Sequence, residues 1–313
     1  MRMTVEPDIA HPVPNTGTLT TPAAQLHHLA ETLSGKDIVV GAYFSQKVDA
    51  QHGVRIHPAS FEYIADWFHS GIRLGLHMVI LHDGLPEKFI KKCRFYYSLN
   101  ATAPDKGSLH FVAYSPGRFT IADERFFAAR DLLAALPTCT SAFIVDISDA
   151  WFNRPPANLI HTRSLWNYCD ASRLLQACTT RSTIYPQVMR QRKVWKDRHT
   201  YTLFIGGETN TIGENPWMQH QLETVFGRPF PELATQPVLN CGIVGGLHMD
   251  VLSLLRTVCH TMEMQRTETS LSDMAVFNYV LHTATQYTIY TNGTLNSPWK
   301  TWKKRGTHAI FHK

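Results

Sequence analysis

Apolar residues along this chain recur at two periods, and the switch between them lays out its elements. Asp37–Ser45 (DIVVGAYFS) is a β-branched run broken by one glycine, which predicts a buried strand. Ser60–Gly75 carries Phe61, Ile64, Phe68 and Ile72 at helical spacing, with Ser60 as the expected N-cap. Leu76–Pro86 and His110–Ser115 read as the second and third strands. Asp123–Leu136 is a helix, acidic at its start and stopped by Pro137, and it runs directly into a fourth strand, Ser141–Asp149. This alternation predicts an α/β fold: a central, mostly parallel, Rossmann-like sheet flanked by helices. The second half is less regular, with strand-like Tyr201–Gly213 and Val238–Gly246, a helix over Ser272–Ala284 and a basic tail. Residues 1–21, rich in Pro and Thr, read as a flexible arm, and 22–313 as a single domain.

Composition narrows the class. The 313 residues are 44% hydrophobic and 18% charged, enough apolar material for a sizeable core. A net charge of +5 suits an anionic ligand such as a phosphate-bearing substrate and is too weak to argue nucleic acid. Six scattered cysteines with no C-x-x-C speak against cysteine-based zinc or redox chemistry. The N-terminus lacks the apolar run of a signal peptide, and no apolar stretch reaches membrane-spanning length. The expected location is cytoplasmic, with peripheral contact at the inner face of a membrane if Trp299 and Trp302, set among lysines, touch lipid. The favoured alternative packs both tryptophans on the core.

The chemistry concentrates in FIVDISDAWF, Phe143 to Phe152, where a buried strand ends on Asp146 and Asp149. A lone aspartate there would cap a turn or helix. Two close carboxylates need a cation or a shared proton, and Mg²⁺ or Mn²⁺ binds through one or two carboxylates plus substrate phosphates. Two activities use such a strand end. A phosphohydrolase of the haloacid dehalogenase type spaces its aspartates D-x-D near the N-terminus, whereas this chain has D-x-x-D at mid-length. The other is a nucleotide-sugar glycosyltransferase.

In the order of its motifs the chain resembles metal-dependent glycosyltransferases of the GT-A fold, glycogenin-like enzymes included, over roughly residues 37–313. The resemblance rests on the aspartate strand, a preceding helix with a basic residue (Arg125), the N-x-G segment in VLNCGIVGG, the S-D helix start in LSDMAVFNYVL, and the late histidines and lysines of the tail. It implies a nucleotide-binding half over 22–152 and an acceptor-binding half over 153–313. Ala42, Tyr43 and Phe44 would receive the nucleobase, Asp123 the ribose or base, and Arg125, Asp146, Ile147, Ser148 and Gly242 the rest of the donor. Lys303, Lys304, Arg305 and Lys313 would hold the diphosphate. Asp149 and Asp146 would hold Mn²⁺ or Mg²⁺ with His308 as first choice and His312 as second, Asp149 being the direct ligand. Met274 stands where many relatives carry glutamine, so no role follows for it.

The implied reaction moves a sugar from a nucleotide-diphosphate sugar, UDP-sugar favoured, to a glycan or lipid-linked glycan, as in polysaccharide biosynthesis. Asp273, Glu208 and Asn240 are the catalytic candidates, with Asp273 or Glu208 as base in an inverting enzyme. The N-x-G and S-D pair leans slightly to the retaining group. A silent carbohydrate-binding or assembly module of the same fold is a third reading.

Overall fold

The computed structural model describes residues 16–50, 53–101, 107–161, 201–265, 271–291, 293–299 and 307–313. Its strands are β1 (Thr18–Leu19), β2 (Asp37–Tyr43), β3 (His77–His82), β4 (Ser108–Ser115), β5 (Ser141–Val145), β6 (Ala150–Phe152), β7 (Tyr201–Thr211), β8 (Pro237–Leu247), β9 (Tyr287–Thr291) and β10 (Ile310–His312). The helices are α1 (Ala23–Thr32), α2 (Ala65–Arg73), α3 (Glu87–Asn100), α4 (Ile121–Ala135), α5 (Pro216–Phe226), α6 (His248–Gln265) and α7 (Asp273–Thr283).

Eight strands form one sheet in the order β1-β4-β3-β2-β5-β8-β7-β9. β2, β3, β4, β5, β7 and β9 point one way, and β1 and β8 the other. The chain winds outward from β2 to β3 and β4, then crosses back to lay β5 on the other flank of β2. That reversal opens a crevice beyond the carboxyl ends of β2 and β5, where open α/β sheets hold ligands. β8, antiparallel to β5, supplies the far wall.

Both faces of the sheet are covered, and the strand period sorts the side chains. Ile38 and Val40 of β2 face a core shared with α4, α6 and α7, while Val39 and Tyr43 face one shared with α2 and α3. α2 anchors on Trp67 and Phe68, both fully buried, each contributing about 1.5–3 kcal/mol on burial. Ser60 is not its cap: a 3₁₀ turn over Glu62–Ile64 precedes the helix, and the Ser60 amide donates to the Tyr43 hydroxyl at 3.0 Å. The end of the expected N-terminal arm is an edge strand, Thr18–Leu19 pairing with β4. A second, two-stranded sheet joins β10 to β6, with His312 opposite Ala150. It returns the chain's last residues to the aspartate segment. No helix among the described residues is long and apolar enough to cross a membrane.

Candidate active site

A cavity of about 730 Å³ fills the crevice at the β2/β5 switch point. One wall is the end of β5 and the turn after it, Val145 to Asp149; the facing wall is Asn240, Cys241 and Gly242 of β8. Pairing of β5 with β8 runs to Val145 opposite Ile243, after which the Asp146 amide donates to the Gly242 carbonyl at 2.8 Å. β8 bulges against β7 here: Ile205 pairs with Val244, yet Gly206 pairs with Asn240. Cys241 and Gly242, which fall between these registers, line the cavity, a common use of bulges beside sites.

Arg125, on α4, is the hub. Its Nη1 donates to Asp146 Oδ1, and its Nη2 donates to Asp273 Oδ2 at 2.9 Å and to Cys241 Sγ at 2.8 Å. Burial opposes the charge on Arg125, but the Asp146 and then the Asp273 carboxylate more than offset it and raise its pKa. Burial likewise opposes ionisation of Asp146, yet Arg125 and His312 beside it bring its pKa down to about 2. Asp146 is therefore a carboxylate at neutral pH. Asp273 opens α7, its Oδ1 accepting from the Met274 amide at 2.8 Å, where the helix dipole favours negative charge. Cys241, almost fully buried, donates to Asp273 Oδ2 at 3.4 Å. Burial first, and then Asp273, keep its thiol protonated.

The N-x-G segment is held from within. Asn240 Nδ2 donates to Glu208 Oε1 at 3.0 Å, and its Oδ1 accepts from the Gly242 amide at 2.8 Å. A Cβ at Gly242 would collide with Asp146 Oδ2, His312 Cε1 and Asn240 Oδ1, so glycine here preserves the space between them.

Several expected site residues stand elsewhere. Asp123 is fully buried, accepting at Oδ2 from Thr120 Oγ1 (2.6 Å) and at Oδ1 from Ser272 Oγ (3.0 Å). It ties α4 to the start of α7 rather than meeting a ribose. Burial and then Asp273 raise its pKa to about 7, against these hydrogen bonds. Ser272 spends its hydroxyl on Asp123 and caps nothing. Tyr43 is wholly buried, its ring between Tyr63 and Phe89 and its hydroxyl donating to the His57 carbonyl at 2.5 Å. Ala42 and Phe44 do line the cavity, with Phe44 stacked on Tyr114. Lys313 Nζ meets Asp66 Oδ2 at 2.6 Å, away from the cavity lining. Lys303, Lys304, Arg305 and Trp302 lie outside the described residues. Trp299 is half-buried on the cavity wall, its amide donating to the Gly207 carbonyl at 3.2 Å.

The metal candidates also separate. His308 bonds the Gly293 carbonyl through Nδ1 and sits edge-on to Phe311, outside the lining. His312 instead lies with Nε2 3.6 Å from Asp146 Oδ2, and its buried Nδ1 has no hydrogen-bond partner among the described residues. That separation is too long for a hydrogen bond and suits two ligands each about 2.1 Å from one small cation. Asp149 is exposed on the rim; its carbonyl accepts from the Lys313 amide at 2.8 Å. No group of three metal-type side chains assembles among the described residues. The donor set present, one carboxylate oxygen and one imidazole nitrogen, fits Mn²⁺ or Mg²⁺ that completes its shell from phosphate and water.

Two cavity aromatics carried no sequence signal. Tyr63 meets Ser148 through its hydroxyl; burial first, opposed by that bond and aided by Asp146 and Asp149, raises its pKa well above normal. Trp217 is 44% exposed on the cavity rim, one residue after Pro216 at the start of α5, whose amide at Met218 is capped by Asn215.

No family model and no curated protein matches this chain. Among solved structures it is similar to the galactosyltransferase LgtC in complex with donor and acceptor sugar analogs, at 11% identity and a TM-score of 0.44. An active-site mutant of LgtC gives 11% identity and 0.47. Each likeness covers 88% of this chain and 86% of that one. Similarity at this level assigns no activity.

Proposed function

We propose that this chain is a divalent-metal-dependent glycosyltransferase of the GT-A type, moving a sugar from a nucleotide-diphosphate sugar, UDP-sugar first, to a glycan or lipid-linked glycan. One observation carries the reading. The aspartate strand, the basic helix, the N-x-G segment, the S-D helix and a tail histidine are scattered over the sequence, yet all line one cavity. Its volume suits a nucleotide sugar.

The division of labour follows from the contacts. Asp146 and His312 would hold the metal, which would supply positive charge against the departing diphosphate. Arg125 hydrogen-bonds both Asp146 and Asp273, so neither carboxylate must reorganise when the donor arrives. Asp273 and Asn240 offer acceptor and donor atoms to sugar hydroxyls beside the reacting carbon. Glu208 is bonded to Asn240 and reaches the cavity, where it can take a proton from an acceptor hydroxyl if the reaction inverts. The lean to retention rests on the N-x-G and S-D pair alone. Trp217, on the open rim, gives a flat apolar face for an acceptor sugar ring.

In the phosphohydrolase alternative Asp146 would be the nucleophile through Oδ2, since Arg125 engages Oδ1. The reading is tested by incubating the protein with a panel of nucleotide sugars and Mn²⁺ and following free sugar and nucleoside diphosphate. Metal-dependent release from one donor is expected. Phosphate release from simple phosphoesters with no sugar release would replace the transferase by the phosphatase, and inertness to both would leave the silent module.

A further inference from the structure

Among the exposed large apolar side chains of the described residues, Phe95 (62% exposed) and Leu99 (63%) stand out because they share one helix face. α3 reads EKFIKKCRFYYSLN, and Phe89, Ile90 and Cys93 form its buried side. Lys88, Lys91, Lys92, Phe95 and Leu99 follow at i, i+3, i+4, i+7 and i+11, which puts all five on the opposite, outer face. Each of the five is exposed. Glu87 is the one acidic residue of the helix, and its pair with Lys91 is a solvent-exposed 3.7 Å contact of little worth. The outer face thus runs from a lysine cluster in its first two turns to an uncovered Phe–Leu pair in its last two.

We propose that this outer face of α3 docks the protein on an anionic lipid bilayer. The surface has to satisfy ammonium groups and large apolar groups together, along one line about 17 Å long at helical rise. A bilayer boundary offers both: anionic headgroups attract each juxtaposed lysine, and the acyl boundary receives Phe and Leu. Lysine's long stem lets its charge stay among headgroups while the helix lies low. A protein partner is the weaker fit, because protein interfaces are depleted in lysine and enriched in arginine. Helical order on the inner side is secured by the core, so docking needs no folding step. The inference stands apart from the reaction proposed above.

The test is co-sedimentation of the whole chain with vesicles of phosphatidylcholine alone and of phosphatidylcholine with phosphatidylglycerol. Binding to the anionic vesicles, weakened by salt, is expected. The triple variant Lys88→Glu, Lys91→Glu, Lys92→Glu should lower the partition coefficient by at least about a hundredfold. Phe95→Ser with Leu99→Ser should lower it about tenfold or more; both changes are at exposed positions, and unchanged melting shows that the fold persists. Three results would overturn the proposal: no anionic-vesicle binding at low salt, equal binding by the α3 variants, or a concentration-dependent dimer that the Phe95 and Leu99 changes abolish.

Discussion

Arg125 bridges Asp146 and Asp273, giving one guanidinium nitrogen to the carboxylate at the end of β5 and the other to the carboxylate that opens α7. Only 15% of the Arg125 side chain is exposed. Removing it strands two largely buried carboxylates without their cation. Arg125→Met should therefore destabilise the fold by about 3–5 kcal/mol in denaturant unfolding. Adding Asp273→Asn to that variant should recover part of the loss, because one uncompensated charge disappears. Full additivity of the two changes would contradict the bridge.

Acid stability should turn on two aspartates of opposite sign. Asp146 has a pKa of about 2 in the fold against 3.8 for an unperturbed aspartate, so the unfolded chain takes up the proton first as pH falls. Its contribution, about 2 kcal/mol, is present above pH ~4 and is lost as pH falls through ~2. Asp123 behaves in reverse. Its folded pKa of about 7 makes the protonated fold the favoured one, so its contribution is present below pH ~4 and is lost as pH rises toward ~7. Unfolding free energy followed by urea titration should peak in mildly acidic solution, and Asp123→Asn should flatten the decline between pH ~4 and ~7.

Gly242→Ala asks whether the space beside Asp146 matters. Its Cβ would intrude on Asp146 Oδ2, His312 and Asn240 together. Turnover of the preferred nucleotide sugar should drop by roughly 10²-fold, the usual scale for misplacing groups that meet the transition state. Retention of normal turnover would mean that the reacting sugar lies elsewhere.

Trp217→Ala should act on the acceptor. Loss of a stacking face costs on the order of 1 kcal/mol, so KM for the acceptor should rise about fivefold or more. A larger effect on donor than on acceptor KM would move Trp217 to the donor side.

How much of this was visible in the amino-acid order depends on how local each cause is. β2, β3 and β5 are β-branched runs buried on both faces, so their sequences alone announce them. α6 carries apolar residues at helical spacing from Val251 to Met262, an equally local pattern. Asp123 and Arg125 sit two apart on one helix, yet both reach the start of α7, Asp123 through Ser272 and Arg125 through Asp273, which helical spacing alone does not announce. Choosing Phe44 over Tyr43 required knowing on which side of the sheet the cavity opens. Choosing His312 over His308 required the pairing of β10 with β6, a contact between distant segments that no local pattern encodes. The role of Arg125 is likewise tertiary: its partners come from three other segments.

The most direct measurement is nucleotide binding by thermal shift, with UDP, GDP, CDP and ADP each tested with and without Mn²⁺, in the native chain and in Asp146→Asn. Binding to the folded state raises apparent stability by about 2.7 kcal/mol at a hundredfold excess over Kd. One nucleotide, UDP first, should give a shift that needs Mn²⁺ and disappears in Asp146→Asn. No shift with any nucleotide in the presence of Mn²⁺, in a protein that melts cooperatively, would contradict the proposed function.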